Sequence, residues 1–219
     1  MNIFDIIGPV MIGPSSSHTA GAVRIGYIAR LLLSEEVKRA DIVFHGSFAK
    51  TYKGHGTDKA VIAGIMGMLP DDERIRKSLE IAKKNNIEIN ISCEKIDGAH
   101  PNTVKMALYG VSGRALNIQG SSVGGGNILI TNIDGLEVSI TGQQNTLIVV
   151  HKDTPGMIAA VTDYMSKKGI NIANFKLTRL EKGGTAIMTI EIEGNNISDL
   201  NETIEKIDGV IHSTFLKTV

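Results

Sequence analysis

With 219 residues the chain is long enough for one or two domains, and 42% apolar and 21% charged residues are ordinary for a protein that buries a core. A formal net charge of zero argues against the basic stripe of a nucleic-acid-binding protein, and 4% aromatics with no Trp argue against base-stacking platforms. No apolar stretch approaches the roughly 20 residues that span a bilayer, no secretory leader is expected, and one cysteine, Cys93, permits neither an intrachain disulfide nor a Cys-ligated cluster here, so a cytoplasmic protein without membrane or nucleic-acid partners is expected.

Residues 3–12 are apolar around Gly8-Pro9 and lead into Gly13-Pro14-Ser15-Ser16-Ser17-His18-Thr19. From Ala20 apolar residues recur at three-to-four spacing to Leu33, which predicts a helix over about 20–33 with the hydroxyl cluster as a loop at its N-terminus. One hydroxyl is enough to cap a helix. The surplus hydroxyls, beside free backbone N–H groups and the positive end of the helix dipole, suit a carboxylate or phosphate. Residues 40–47 read as a buried strand that delivers His45 and Ser47 at its end. A second, similar stretch follows: Lys50–Asp58 reads as a glycine-punctuated loop carrying His55, with Thr57 or Asp58 capping a helix from Lys59 to about Leu69. The two turns repeat one chemistry and are expected to face one pocket.

A third helix is predicted over about 73–85, then an alternating strand over 87–93 that turns Cys93 to the apolar side as a buried structural thiol. Ala99–Thr103 is a turn containing His100. Strands follow at 103–111, 114–120, 126–133 and 136–141, with Ser122-Val123-Gly124-Gly125-Gly126 between two of them as either a flexible turn or a backbone wall beside an anion. Gly142–Asn145 reads as a linker. Beyond it come a strand over 146–151, a helix from Pro155 to about Lys168 with Pro at its first position, strands over 171–180 and 185–193, a helix capped by Asn196 or Ser198, and a strand over 210–218. That βαββαβ order within about 70 residues is a ferredoxin-like split βαβ unit. His18, His45, His55 and Asp58 match no tight metal-ligand spacing, so no metal site is expected on this chain.

Residues 146–219 resemble the ACT domain, a small amino-acid-binding regulatory module, through His151-Lys152-Asp153-Thr154-Pro155-Gly156 and Gly169-Ile170-Asn171-Ile172. The resemblance implies His151, Asp153, Gly156 and Asn171 as effector-binding candidates, and self-association through the sheet. Residues 1–142 are similar to the beta chain of the bacterial iron–sulfur-dependent L-serine dehydratases. The matching motifs are Gly13–Thr19, His45-Gly46-Ser47-Phe48-Ala49, Gly54-His55-Gly56-Thr57-Asp58, His100-Pro101-Asn102-Thr103 and Ser122–Gly126.

The implied fold is α+β: a mixed α/β substrate-binding domain followed by the ACT domain. The implied reaction, within serine catabolism and gluconeogenesis, dehydrates L-serine to aminoacrylate and on to pyruvate and ammonia, without pyridoxal phosphate. It would use a 4Fe-4S cluster held by a Cys-rich alpha chain. The roles expected here are acid–base work by His18 and His55 with Asp58 and His45 orienting them, and substrate binding by Ser15, Ser16, Ser17, Thr19, His45, Ser47, Thr57, Gly124 and Gly125. The competing expectation is a non-catalytic regulatory subunit that senses amino acids.

Overall fold

The computed structural model describes residues 11–193 and 199–218. The expected cap at Asn196 or Ser198 and the apolar segment over residues 3–10 lie outside the described residues. The chain forms two compact units, divided after Asp134.

In the first unit a six-residue π-helical turn, Ser16–Gly21, leads into α1 (Ala22–Leu33). Then come β1 (Val37–Phe44), α2 (Gly46–His55), α3 (Thr57–Ile65), a 3-10 turn over Glu73–Lys77 that runs on as α4 (Ser78–Lys84), β2 (Glu88–Cys93), β3 (Thr103–Gly110), β4 (Ala115–Gly124) and β5 (Asn127–Ile133). The strand order is β2-β1-β3-β4-β5. β1 and β2 run parallel, as strands joined by helical crossovers must; the remaining pairs are antiparallel.

That topology brings distant motifs to one end of the sheet. The chain leaves β1 after Phe44, which lies opposite Val104; it enters β3 at Thr103, opposite Ser121 on β4. Backbone bonds fasten these corners: His45 N–H donates to Thr103 O (3.0 Å), Ser47 N–H to Pro101 O (2.7 Å) and Ser122 N–H to Asn102 O (3.0 Å). The π turn is seated here too, because a Cβ on Gly21 would stand 2.2 Å from Ser122 Oγ. Four motifs separated by up to a hundred residues are therefore neighbours.

The core lies between the sheet and the helices. Ile25 of α1 packs over Gly120 of β4, and Phe44, Ile62, Met106 and Leu108 are fully buried. α1 and α3 cross backbone to backbone: a Cβ on Gly64 would meet Val23 O at 2.1 Å, and one on Gly26 would meet Val61 O at 2.3 Å.

The second unit contains β6 (Leu136–Ile140) and then β7 (Asn145–Lys152), α5 (Met157–Lys167), β8 (Asn171–Arg179), β9 (Thr185–Glu193), α6 (Leu200–Ile204) and β10 (Val210–Leu216). From β7 onward this is βαββαβ, with strand order β10-β7-β9-β8, all antiparallel. Leu147, Val149, Val161, Met165, Met188 and Ile190 fill its own core.

Several local expectations are corrected. Residues 16–19 are not a loop before the helix; they form its first, widened turn. Residues 46–55 are α2, not a glycine-punctuated loop, because Gly54 adopts helical backbone and only Gly56 takes the left-handed conformation (φ 69°) that ends the helix. Ser47 therefore sits in the first turn of α2 rather than at a strand end. Pro155 precedes α5, whose N-cap is Gly156 at φ 92°. Cys93 is exposed, not buried: β2 is the edge strand and its last residues have no covering layer. Among the described residues no helix is long and apolar enough to cross a membrane.

Candidate functional site

The site is built on the π turn. Ser15, in extended conformation, caps it by accepting His18 N–H through Oγ (3.3 Å), and its carbonyl accepts Thr19 N–H (2.8 Å). π turns widen a helix by one residue and recur at functional sites. Here the turn carries His18 and Thr19 inward, where they are 8% and 2% exposed.

His18 has hydroxyls at both ring nitrogens. Nδ1 lies 3.1 Å from Ser17 Oγ and 3.4 Å from Ser15 Oγ, and Nε2 lies 3.3 Å from Ser47 Oγ. The ring stands edge-on to Phe48 (5.1 Å) and to His55 (4.8 Å, 88°). Burial, and then the charge of the adjacent His55, hold the His18 imidazole below its ordinary 6.5. It is a neutral ring at neutral pH, so one of its nitrogens accepts and the other donates.

His55, at the C-terminal end of α2, is exposed and lines a cavity of about 500 Å³. Gly13, Pro14 and Thr19 from the first motif line the same cavity as Gly54, His55 and Gly56 from the second. The remaining wall is apolar at Ile12 and Ile75 and cationic at Lys53, Lys59 and Arg76; no carboxylate lines it among the described residues. Thr19 Oγ1 and Thr57 Oγ1 are buried without a hydrogen-bond partner.

Other expected residues are placed differently. Asp58 does not orient an imidazole: it is buried and its Oδ1 accepts Lys59 N–H (2.8 Å). His45 Nδ1 accepts Ile96 N–H (2.9 Å), so its ring latches the loop after β2 to the start of α2. Ser15 and Ser17 are turned onto His18, and Ser16 is half-buried beside them. Gly124 and Gly125 lie at the β4–β5 turn, where three consecutive glycines have positive φ. They do not line the cavity. His100 Nδ1 accepts Asn102 N–H (3.2 Å), shaping the turn that supports α2.

The helix starts are also less open than the sequence suggests. Ser47 and Phe48 N–H of α2 both point at Pro101 O (2.7 and 3.4 Å), and Lys59 N–H of α3 is taken by Asp58.

Sequence reasoning missed Lys59 and Arg76, which come from different elements and carry no spacing signal. It also missed Arg24, which reads as a surface position of an apolar helix. Arg24 Nη1 donates to Gly126 O (2.9 Å) and its Nε is buried without a partner; burial lowers its pKa. This arginine ties the glycine-rich turn to α1.

In the second unit Asp153 Oδ2 accepts from Gly183 N–H (3.0 Å) and Arg179 Nη1 (2.7 Å), which hold its carboxyl below the usual carboxylate range. Asn171 Nδ2 donates to Glu193 Oε2 (2.7 Å). His151 is 1% exposed; Nδ1 lies 2.7 Å from Lys152 O, and Nε2 has no partner. Gly156 borders open space. Among the described residues no three His, Cys, Asp or Glu side chains group to hold a metal ion.

Residues 147–212 match the model of the ACT domain of the acetohydroxyacid synthase small-subunit type. The chain is 43% identical to the probable L-serine dehydratase beta chain of Bacillus subtilis, covering 97% of this chain and 96% of that one. It is 36% identical to the L-serine dehydratase beta chain of Peptoniphilus asaccharolyticus over 87% and 86% of the two chains. A D-3-phosphoglycerate dehydrogenase of Methanocaldococcus jannaschii is 25% identical over 86% of this chain but 36% of that longer one. Residues 2–132 match the serine dehydratase beta chain family model, and with a relative this similar over its whole length, the chain belongs to that family.

Proposed function

We propose that this chain is the substrate-holding subunit of an L-serine dehydratase of serine catabolism, converting L-serine to pyruvate and ammonia with a Cys-rich alpha chain that carries a 4Fe-4S cluster. The residues present here do not fit such a cluster. It needs three or four soft ligands, and the single thiol, Cys93, is exposed on an edge strand. This chain supplies binding and proton transfer.

The observation that carries the reading is the His18–His55 pair at the wall of a cation-lined cavity into which both motifs of the first unit open. Serine elimination needs a base for the Cα proton, held within reach of a fixed substrate. His55 faces the cavity and takes that proton. His18 stands behind it, kept neutral by burial and pinned by Ser17 and Ser47, and sets the ring beside it. Loss of the Cα proton and of the C3 hydroxide gives aminoacrylate, which tautomerises and hydrolyses to pyruvate and ammonia. No pyridoxal phosphate takes part. The cavity is much larger than a three-carbon amino acid, which leaves room for the partner chain. The edge strands β8 and β10 are where two ACT units would pair.

The test is anaerobic co-production with the alpha chain and a pyruvate assay on L-serine. Replacing His55 by Gln should lower kcat by about a hundredfold or more while the two chains still co-elute. Unchanged turnover would remove His55 from the chemistry. Variants that shift only the response to added amino acids would identify a regulatory subunit instead.

A further inference from the structure

We propose that Lys59 and Arg76 bind the substrate carboxylate, so that this chain selects substrates by their anionic end. The assignment rests on the L-serine dehydratase reading above and deepens it. Several of the donors that the sequence offers for a carboxylate are already used. Ser15 and Ser17 are turned onto His18, the first N–H groups of α2 onto Pro101 O, and Lys59 N–H onto Asp58. What remains at the cavity is the Thr19 hydroxyl and side-chain charge. Lys53, Lys59 and Arg76 line it, make no ion pair among the described residues, and meet no carboxylate in the wall.

A second observation marks the same place as a binding site. Thr19 lines the cavity and is 2% exposed, yet its Oγ1 has no partner; a buried hydroxyl is normally satisfied. A carboxylate held by the two cations would bring acceptor oxygens to this wall. Arg76 presents the planar fork that matches a carboxylate, Lys59 a point charge, and Lys53 adds a third positive charge to the lining. No described carboxylate in the wall pairs with an ammonium, so the amino end of the substrate is turned away from the cations.

The experiment uses the alpha–beta complex, with initial rates on L-serine and with propionate, a carboxylate lacking the amine and hydroxyl, as inhibitor. Both side chains are exposed, so the Lys59→Met/Arg76→Met double variant should fold normally. We expect it to raise KM about 10- to 100-fold, the scale of lost charged hydrogen bonds, with a smaller change in kcat, and to weaken propionate inhibition in parallel. Lys59→Arg/Arg76→Lys should restore both. A wild-type complex without serine turnover overturns the functional reading and this assignment with it. An active complex whose double variant keeps the wild-type KM and propionate inhibition overturns the assignment alone.

Discussion

At the scale of single residues, the chemistry proposed for the first unit depends on how an imidazole is wrapped. His18 is squeezed between hydroxyls and aromatic edges, and its pKa is lowered first by burial and then by His55. The folded chain therefore disfavours protonation of His18 relative to the unfolded chain. Stability from this group is complete above its unfolded value of 6.5 and is lost as pH falls through 6.5 toward the lower folded value. A titration of the His18 ring followed by NMR should give a midpoint below 6.5. In the His55→Gln variant the midpoint should rise without reaching 6.5, since burial, the larger cause, remains. An unmoved midpoint would show that the two rings are not electrostatically in contact.

Helices and strands impose constraints of a different kind, and two glycines show this with opposite signs. At Gly64 an added methyl meets the backbone of α1, Val23 O at 2.1 Å and Tyr27 N at 2.7 Å, which cannot move aside as a side chain can. Gly64→Ala should destabilise by roughly 1–3 kcal/mol, the usual cost of overpacking, despite a helix propensity about 1 kcal/mol better. At Gly54, in α2, nothing lies within 4 Å of the added methyl, so Gly54→Ala should stabilise by up to about 1 kcal/mol. Denaturant unfolding of the two variants checks both signs; destabilisation by both would mean that α1 and α3 do not set the difference.

Much of this element scale was legible in the sequence. The strands over 103–133 and the βαββαβ order came directly from alternation and turn residues. The reading of 50–58 failed because two glycines flanking a histidine look alike in sequence, while only Gly56 breaks the helix. Cys93 failed because alternation marks one face of a strand but cannot say whether a layer covers it. At the site, the convergence of Gly13–Thr19 with Gly54–Gly56 was legible as repeated chemistry. The cations were not, since Lys59 and Arg76 meet only through tertiary packing.

On the scale of the whole chain, the fold divides into two compact units, and the second does not present its polar residues freely. Of the four positions that resemblance to amino-acid-binding ACT modules singles out, three make internal side-chain bonds: His151 Nδ1 lies 2.7 Å from Lys152 O, and the other two bonds fasten β8 to β9. Asp153 clamps the β8–β9 hairpin through Gly183 N–H and Arg179, and Asn171 holds Glu193 across the same strand pair. A ligand recruited by these groups must first displace those bonds, so Asp153 acts as a hairpin fastener in the unliganded chain. Asp153→Ala should therefore speed amide hydrogen exchange at Gly183 and its neighbours, where a backbone donor loses its acceptor. The KM for L-serine in the alpha–beta complex should stay within about twofold of wild type, as for a surface change away from the substrate. Exchange measured by mass spectrometry over residues 180–185, beside steady-state kinetics, separates the two roles. Unchanged exchange with a shifted serine dependence would make Asp153 an effector contact instead of a structural clamp.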